Sequence, residues 1–385
     1  MKATNSLYAG LGTTIFEVMS RLAIEHGAIN LGQGFPDVDG PEDVRRIAAE
    51  TAIAGPNQYP PMMGLPDLRQ AVADANRRFY GLDIDPASQV MVTSGATEAL
   101  ADCFLALIEP GDEVVVFEPL YDCYLPMIRR AGGVPKLIRL MPPEWRLERE
   151  ALAAAFSDKT KFVLLNNPLN PAGKVFTADE LAMIAEFVLA HDAYAVCDEV
   201  YEHIVFDGRP HIPLMTLPGM AERTIRIGSA GKTFSLTGWK VGYVTAPEAL
   251  LQPIAKAHQF VTFTTPPNLQ KAVAFGLRKG DDYYRSLSGE LEAKRDRLAN
   301  GLARLGFDMV ACEGTYFVTA DIRPLQLGDD DVTVCRRLTL EAGVTAVPVS
   351  AFYESDPPTH FVRFCFSKRD EVLDEALARL ERFLG

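Results

Sequence analysis

A chain of 385 residues, 48% apolar and 23% charged with both kinds spread along its length, reads as a globular protein of roughly two or three domains. Its formal net charge of −13 argues against nucleic acid, which needs clustered Lys and Arg, and leaves open only local positive pockets for small anions. No run of about 18 apolar residues is present to span a bilayer, and the first twenty residues lack a charged start followed by an apolar stretch. No membrane partner and no secretory signal are therefore expected, and the chain reads as cytoplasmic.

In chain order, residues 97–108 show helical spacing through Leu100, Cys103, Phe104, Leu107 and Ile108, and 113–117 (EVVVF) reads as a buried strand. Strands follow at 161–165, 193–197 and 224–228, with a helix at 178–190. This alternation predicts βα units and a mainly parallel sheet. The last hundred or so residues change character: a charge-rich helix at 286–304, strands at 315–321 and 361–366, and an amphipathic helix carrying Leu373, Leu377, Leu380 and Leu384 on one face. Ser367 and Asp370 resemble a capping box for that helix. The change near residue 275 divides the chain into 1–40 (an N-terminal arm and part of the small domain), 41–275 (large domain) and 276–385 (small domain). The six cysteines are scattered without a Cys-x-x-Cys pair, and most sit among apolar neighbours as reduced thiols would.

Five segments carry chemistry. Ser94-Gly95-Ala96-Thr97-Glu98 lies between a strand and a helix, where small residues and free N–H groups suit an anion, although a plain helix cap would look the same. Asp198 directly follows the strand AYAVC, either as a helix cap or as a charge held for a cationic partner. Ser229-Ala230-Gly231-Lys232 follows another strand; a lysine among small residues there is a nucleophile if its pKa is lowered, or else a surface charge, and Lys240 lies eight residues on. Asn166 to Gly173 is a loop in which two X-Pro steps constrain Asn170. Arg363 stands inside the apolar strand FVRFCF, where a bidentate carboxylate is its natural partner and a structural salt bridge the plainer alternative.

Two further patterns carry nothing. Gly32-Gln33-Gly34 lacks the third glycine and the preceding βα unit of a dinucleotide fingerprint, and His191 and His203 lack the one-turn spacing of zinc ligands, so no metal is expected.

An anion cradle, a strand-end Asp, a strand-end Lys, a constrained Asn and a carboxylate-binding Arg together form the set an electron-sink cofactor requires. The motifs GQGFPD (32–37), NQYPPMMG (57–64), SGATEAL (94–100), NNPLNPAG (166–173), DEVYEH (198–203), SAGKTFSLTGWKVGY (229–243) and RFCFSK (363–368) carry a resemblance over nearly the whole chain. The sequence resembles the class I/II pyridoxal-phosphate-dependent aminotransferases of the aspartate aminotransferase fold. Within them it is most similar to the kynurenine/glutamine and methionine branch, by LGTTIF (11–16), GQGFPD and CEGTYF (312–317). The resemblance implies the α/β architecture of fold type I: a large domain whose mainly parallel sheet is sandwiched by helices, plus a smaller α+β domain.

It also implies roles. Lys232 would carry pyridoxal 5'-phosphate as a Schiff base and, once displaced, shuttle the substrate proton; Asp198 would pair with the ring nitrogen. Tyr201 and Asn170 would hold the phenolic oxygen, and Tyr121 would stack on the ring. Gly95, Ala96, Thr97, Ser229 and Lys240 would bind the phosphate, with Tyr59 supplied to the neighbouring subunit of a homodimer with shared sites. Arg363, with Asn170 and the backbone of Gly34, would clamp the substrate carboxylate. The implied reaction exchanges an amino group between an L-amino acid and a 2-oxo acid in ping-pong order. Ile15 stands where kynurenine-preferring relatives carry tryptophan, and no second arginine is evident. Tyr8, Ile15, Phe16 and Phe263 suggest an apolar side-chain pocket for methionine, glutamine or an aromatic amino acid ahead of dicarboxylates. A carbon–sulfur β-lyase on the same lysine is the alternative, and a non-catalytic ligand-binding regulator ranks below it.

Overall fold

Seven strands build the largest sheet of the structure, a computed structural model that describes residues 2–385. They are β1 (Val90–Thr93), β2 (Glu113–Glu118), β3 (Val134–Arg139), β4 (Thr160–Asn166), β5 (Tyr194–Asp198), β6 (Thr224–Ser229) and β7 (Gly242–Thr245). Their order is β1-β7-β6-β5-β4-β2-β3, and every pairing is parallel except the two made by β7. The runs VVVF and FVLL are apolar throughout because both faces are covered, and alternate residues serve opposite cores. Val115, Phe117, Val163 and Leu165 enter one, whereas Val114, Val116, Phe162 and Leu164 enter the other.

Helices α1 (Ile15–His26), α2 (Glu42–Ala54), α3 (Pro66–Tyr80), α4 (Ala96–Leu107), α5 (Ala178–Ala190), α6 (Glu248–Val261), α7 (Pro267–Leu277), α8 (Asp281–Arg304) and α9 (Asp370–Leu384) pack around the sheets. Helix α4 lays Leu100, Cys103, Phe104 and Leu107 on one face of the large sheet, and α5 lays Leu181, Ile184 and Val188 on the other. A capping box between Thr177 and Glu180 starts α5.

A second, antiparallel sheet contains β8 (Asp308–Met309), β9 (Phe317–Asp321), β10 (Val347–Pro348) and β11 (Phe361–Cys365), in the order β10-β11-β9-β8. Its core takes Leu298 and Leu302 from α8 and Leu373 and Leu380 from α9, with Leu377 and Leu384 partly buried against it. Met19 and Leu31 join the same core, and Ile29–Asn30 pairs with Val344–Thr345.

Three expectations about element ends need correction. Strand β9 starts at Phe317 rather than 315, because Thr315 has a left-handed φ of 68°. Helix α8 begins a turn earlier than expected, with Asp281 and Asp282 favourably placed at its positive N-terminus. The Ser367/Asp370 capping box does not form: Arg369 is the N-cap without a side-chain bond, Ser367 is buried, and Asp370 pairs with Lys294 and Arg297. All six cysteines are free, five of them buried and Cys123 half-buried. Among the described residues, no helix is long and apolar enough to cross a membrane.

Candidate active site

The carboxyl ends of β4, β5 and β6 bring Asn166, Asp198 and Ser229 to one edge of the sheet, which opens onto a cavity of about 400 Å³. The cavity is lined by Phe16, Gly34, Gly95, Ala96, Thr97, Tyr121, Asn170, Asp198, Tyr201, Ser229, Lys232, Lys240 and Arg363. Residues from near both ends of the chain thus meet the strand-end loops of the large sheet.

One end of the cavity suits an anion. No side chain caps α4, so its leading N–H groups are left for a ligand. Gly95 turns into the helix at φ 85°, and a Cβ there would stand 3.2 Å from Cε of Lys240. The Ser229 hydroxyl accepts from Gly231 N–H at 3.2 Å. Behind this turn, Ser94 N–H donates to Glu98, whose other oxygen lies 2.5 Å from His258 Nδ1; His258 Nε2 faces the Met62 carbonyl at 3.0 Å. The Asp102 carboxyl is 3.7 Å from the same Nδ1. Burial and the adjacent Glu98 charge push Asp102 up to about 9, whereas the hydrogen bond and charge of His258, with the bond from Ser94 N–H, overcome the burial of Glu98 and hold it low. Both ring nitrogens of His258 are engaged, and the spacing of Glu98, Asp102 and His258 is one that a metal ion could also bridge.

At the centre, Asp198 is buried and its Oδ2 accepts from the Tyr124 hydroxyl at 2.6 Å. Burial raises its pKa, against the hydrogen bond from Tyr124 and the charge of Lys232. Burial likewise lowers Lys232 to about 8, assisted by the charges of Lys240 and Arg363. The lysine's amine donates to the Tyr316 hydroxyl at 2.8 Å.

Arg363 closes the other end. It is 1% exposed, and among the described residues no carboxylate lies within 4.0 Å of it, so the salt-bridge alternative does not hold. Its Nη1 donates to Asn170 Oδ1 at 3.0 Å and its Nη2 to the Gly32 carbonyl at 2.9 Å, while Nε has no partner. The guanidinium lies 3.9 Å from the centre of the Phe317 ring, with Phe352 and Phe16 at 4.9 and 5.3 Å. Burial lowers it to about 10. Gly34 approaches this corner closely: a Cβ on it would fall 2.5 Å from Phe317 Cζ.

Some expected residues lie elsewhere. Ile15 does not line the cavity but packs on the core of the antiparallel sheet; one residue along a helix is a turn of about 100°, so Phe16 faces the cavity in its stead. Tyr8 is exposed, and Tyr59 (82% exposed) packs edge-on against Phe263, 5.5 Å between ring centres, outside this chain's cavity. The reading of residues missed Tyr124, Tyr316 and Phe317; the last two lie within CEGTYF, and all three are indistinguishable in the sequence from core aromatics.

The family model described as aminotransferase class I and II matches residues 26–380. The solved structure of N-succinyldiaminopimelate aminotransferase from Mycobacterium tuberculosis superposes with a TM-score of 0.96 at 44% identity, covering 99% of this chain and 100% of that one. The methionine aminotransferase of Escherichia coli is 41% identical over 372 residues, 97% of this chain and 96% of its own. A kynurenine–oxoglutarate transaminase of Dictyostelium discoideum is 40% identical over 406 aligned residues, with 96% and 93% covered. The chain belongs to the class I and II aminotransferase family, with the fold type I architecture. It is an amino-acid aminotransferase, an enzyme that works on amino acids and 2-oxo acids with pyridoxal 5'-phosphate, the cofactor of the family. These relatives are all transaminases and lend no support to the β-lyase or regulator alternatives.

Proposed function

We propose that the amino donor is a neutral amino acid, methionine, glutamine or an aromatic one, and that Arg363 takes its α-carboxylate. The observation that carries this is a buried arginine with no carboxylate partner and an unpaired Nε, a costly arrangement unless an anion arrives from solution. Apart from Arg363, the cations this chain places along the cavity are Lys232 and Lys240, both needed by the cofactor in this reading, so the chain's own lining leaves none for a second substrate carboxylate. Phe16, Phe35 and Tyr121 give the side-chain region an apolar, aromatic lining. Relatives named for methionine and for kynurenine are in keeping with that choice.

The cavity fits the cofactor in chemistry and charge. The uncapped N-terminus of α4 with Gly95, Ala96 and Thr97, together with Ser229 and Lys240, would take its phosphate. When bound, the cofactor supplies an electron sink for charge developing at the substrate Cα. Asp198, kept in place by Tyr124, would hold the proton on the ring nitrogen, and Tyr201 and Asn170 would hold the phenolic oxygen while Tyr121 covers the ring face. Lys232, lowered to about 8, is the base that removes the Cα proton and returns it on the far side of the transfer.

Tyr59 serves the cavity of a second copy in this proposal, making the enzyme a homodimer with shared sites. Its exposure, with its ring against the exposed Phe263 and outside this chain's cavity, supports that assignment. The division into an N-terminal arm (1–40), a large domain (41–275) and a small domain (276–385), and a cytoplasmic location, remain part of the proposal. Six free cysteines suit a reducing compartment.

Comparison of kcat/KM for methionine, glutamine, phenylalanine, kynurenine, aspartate and glutamate with a common 2-oxo acid tests the donor class. Neutral donors should lead; aspartate or glutamate at the top would refute the assignment.

A further inference from the structure

Tyr316 precedes β9 and is 1% exposed, and its hydroxyl stands between two partners: Nζ of Lys232 at 2.8 Å and the carbonyl oxygen of Gly34 at 2.8 Å. A carbonyl can only accept, so the single phenol proton goes to Gly34. The phenol oxygen therefore meets Lys232 only as an acceptor, whatever the charge of the lysine. When the amine is neutral, one of its two N–H bonds is used on Tyr316 and its lone pair is turned away from the phenol. Among the described residues, the amine makes no other hydrogen bond or ion pair.

The phenol has little freedom to move. Its ring meets Tyr201 edge-on at 5.1 Å between centres and Phe317 at 4.9 Å, both buried. Its acceptor belongs to the Gly32-Gln33-Gly34 segment, whose Gly32 carbonyl also braces Arg363. One three-residue stretch thus contacts the lysine, through Tyr316, and the arginine directly.

We infer that Tyr316 is a positioning residue for Lys232: it docks the free amine with an N–H on the phenol and the lone pair turned away from it, and ties that arrangement to the loop bracing Arg363. The inference rests on Lys232 being the cofactor lysine. A lysine displaced from the cofactor exchanges protons as an amine, so its orientation bears on the proton-transfer step and not on retention of substrate.

The test is Tyr316→Phe, which deletes the hydroxyl and leaves the ring against Tyr201 and Phe317. Tyr353→Phe is the control, because that phenol also donates to a carbonyl, Leu140 at 2.7 Å, but lies outside the cavity lining. Three quantities are read on the full-length protein: the rate at which cofactor-free protein takes up pyridoxal phosphate, and kcat and KM for the amino donor. In Tyr316→Phe, uptake should slow and kcat fall about tenfold, the loss of one hydrogen bond to a charged or reacting group, with KM within about twofold. Tyr353→Phe should leave all three unchanged even if it lowers the melting temperature. The inference is overturned if kcat and uptake are unchanged in Tyr316→Phe, or if both variants fall alike. Borohydride trapping that located the cofactor on a different lysine would also overturn it, through its premise; that result is distinct from an unchanged kcat with Lys232 labelled.

Discussion

Replacing Arg363 with lysine keeps a positive charge in the same place and removes the planar fork, which makes it the sharpest probe of carboxylate recognition. In the native protein Nη1 and Nη2 are held by Asn170 and Gly32, and Nε is unpaired in a site where burial alone lowers the guanidinium to about 10. A lysine ammonium has three donors on a flexible stem and cannot hold Asn170, Gly32 and both oxygens of a carboxylate at once. At least one charge-assisted hydrogen bond to the substrate is lost, with part of the alignment of another, for a cost of about 3 kcal/mol. At about 1.4 kcal/mol per decade, kcat/KM should fall roughly 100-fold. The fall should be similar for the amino acid and for the 2-oxo acid, since both carry the carboxylate, and cofactor content should not change. The assay is stopped-flow measurement of the two half-reactions, with the decarboxylated amine of the best donor as a control that the substitution leaves unaffected. A fall of less than threefold, or an equal fall with the decarboxylated amine, would refute carboxylate recognition by Arg363.

Two further outcomes follow from the electrostatics. Burial destabilises the ammonium form of Lys232, so its proton leaves at lower pH than the ordinary 10.5, and the amine is free above about 8. Uptake of pyridoxal phosphate by cofactor-free protein should therefore rise with pH through a midpoint near 8 and level off about a unit higher; a midpoint above 10 would contradict this. Asp102, held up to about 9, is neutral at pH 7, so Asp102→Asn should cost less than ~1 kcal/mol in urea unfolding. Glu98→Gln leaves His258 facing a neutral group and should cost ~3 kcal/mol. Equal costs would show that the proton is shared differently.

The sheet was legible because its strands are continuous apolar runs that match a doubly covered parallel sheet, and the loops at their carboxyl ends carry Asn170, Asp198 and Lys232. Arg363 was legible for the opposite reason, a charge inside an apolar strand. What stayed hidden depended on distant packing. Glu98 and Asp102 resemble the polar side of α4 until His258, 160 residues beyond Glu98, is folded against them. The aromatic rings of Tyr124 and Tyr316 read as core, since only the hydroxyl's partner distinguishes a site residue. Adjacent residues differ by about 100° around a helix, so Ile15 and Phe16 could not be told apart without knowing the phase of α1. Ser367 had the right spacing for a cap, but burial at the end of β11 takes it out of reach.

The most direct test of the account is to reduce the purified enzyme with borohydride in the presence of pyridoxal phosphate, digest it, and locate the modified lysine by mass spectrometry. The expected result is one cofactor per chain, attached to Lys232, with no attachment in Lys232→Ala. Attachment to Lys240 or another lysine, or equal labelling of Lys232→Ala, would contradict the assignment of the active site.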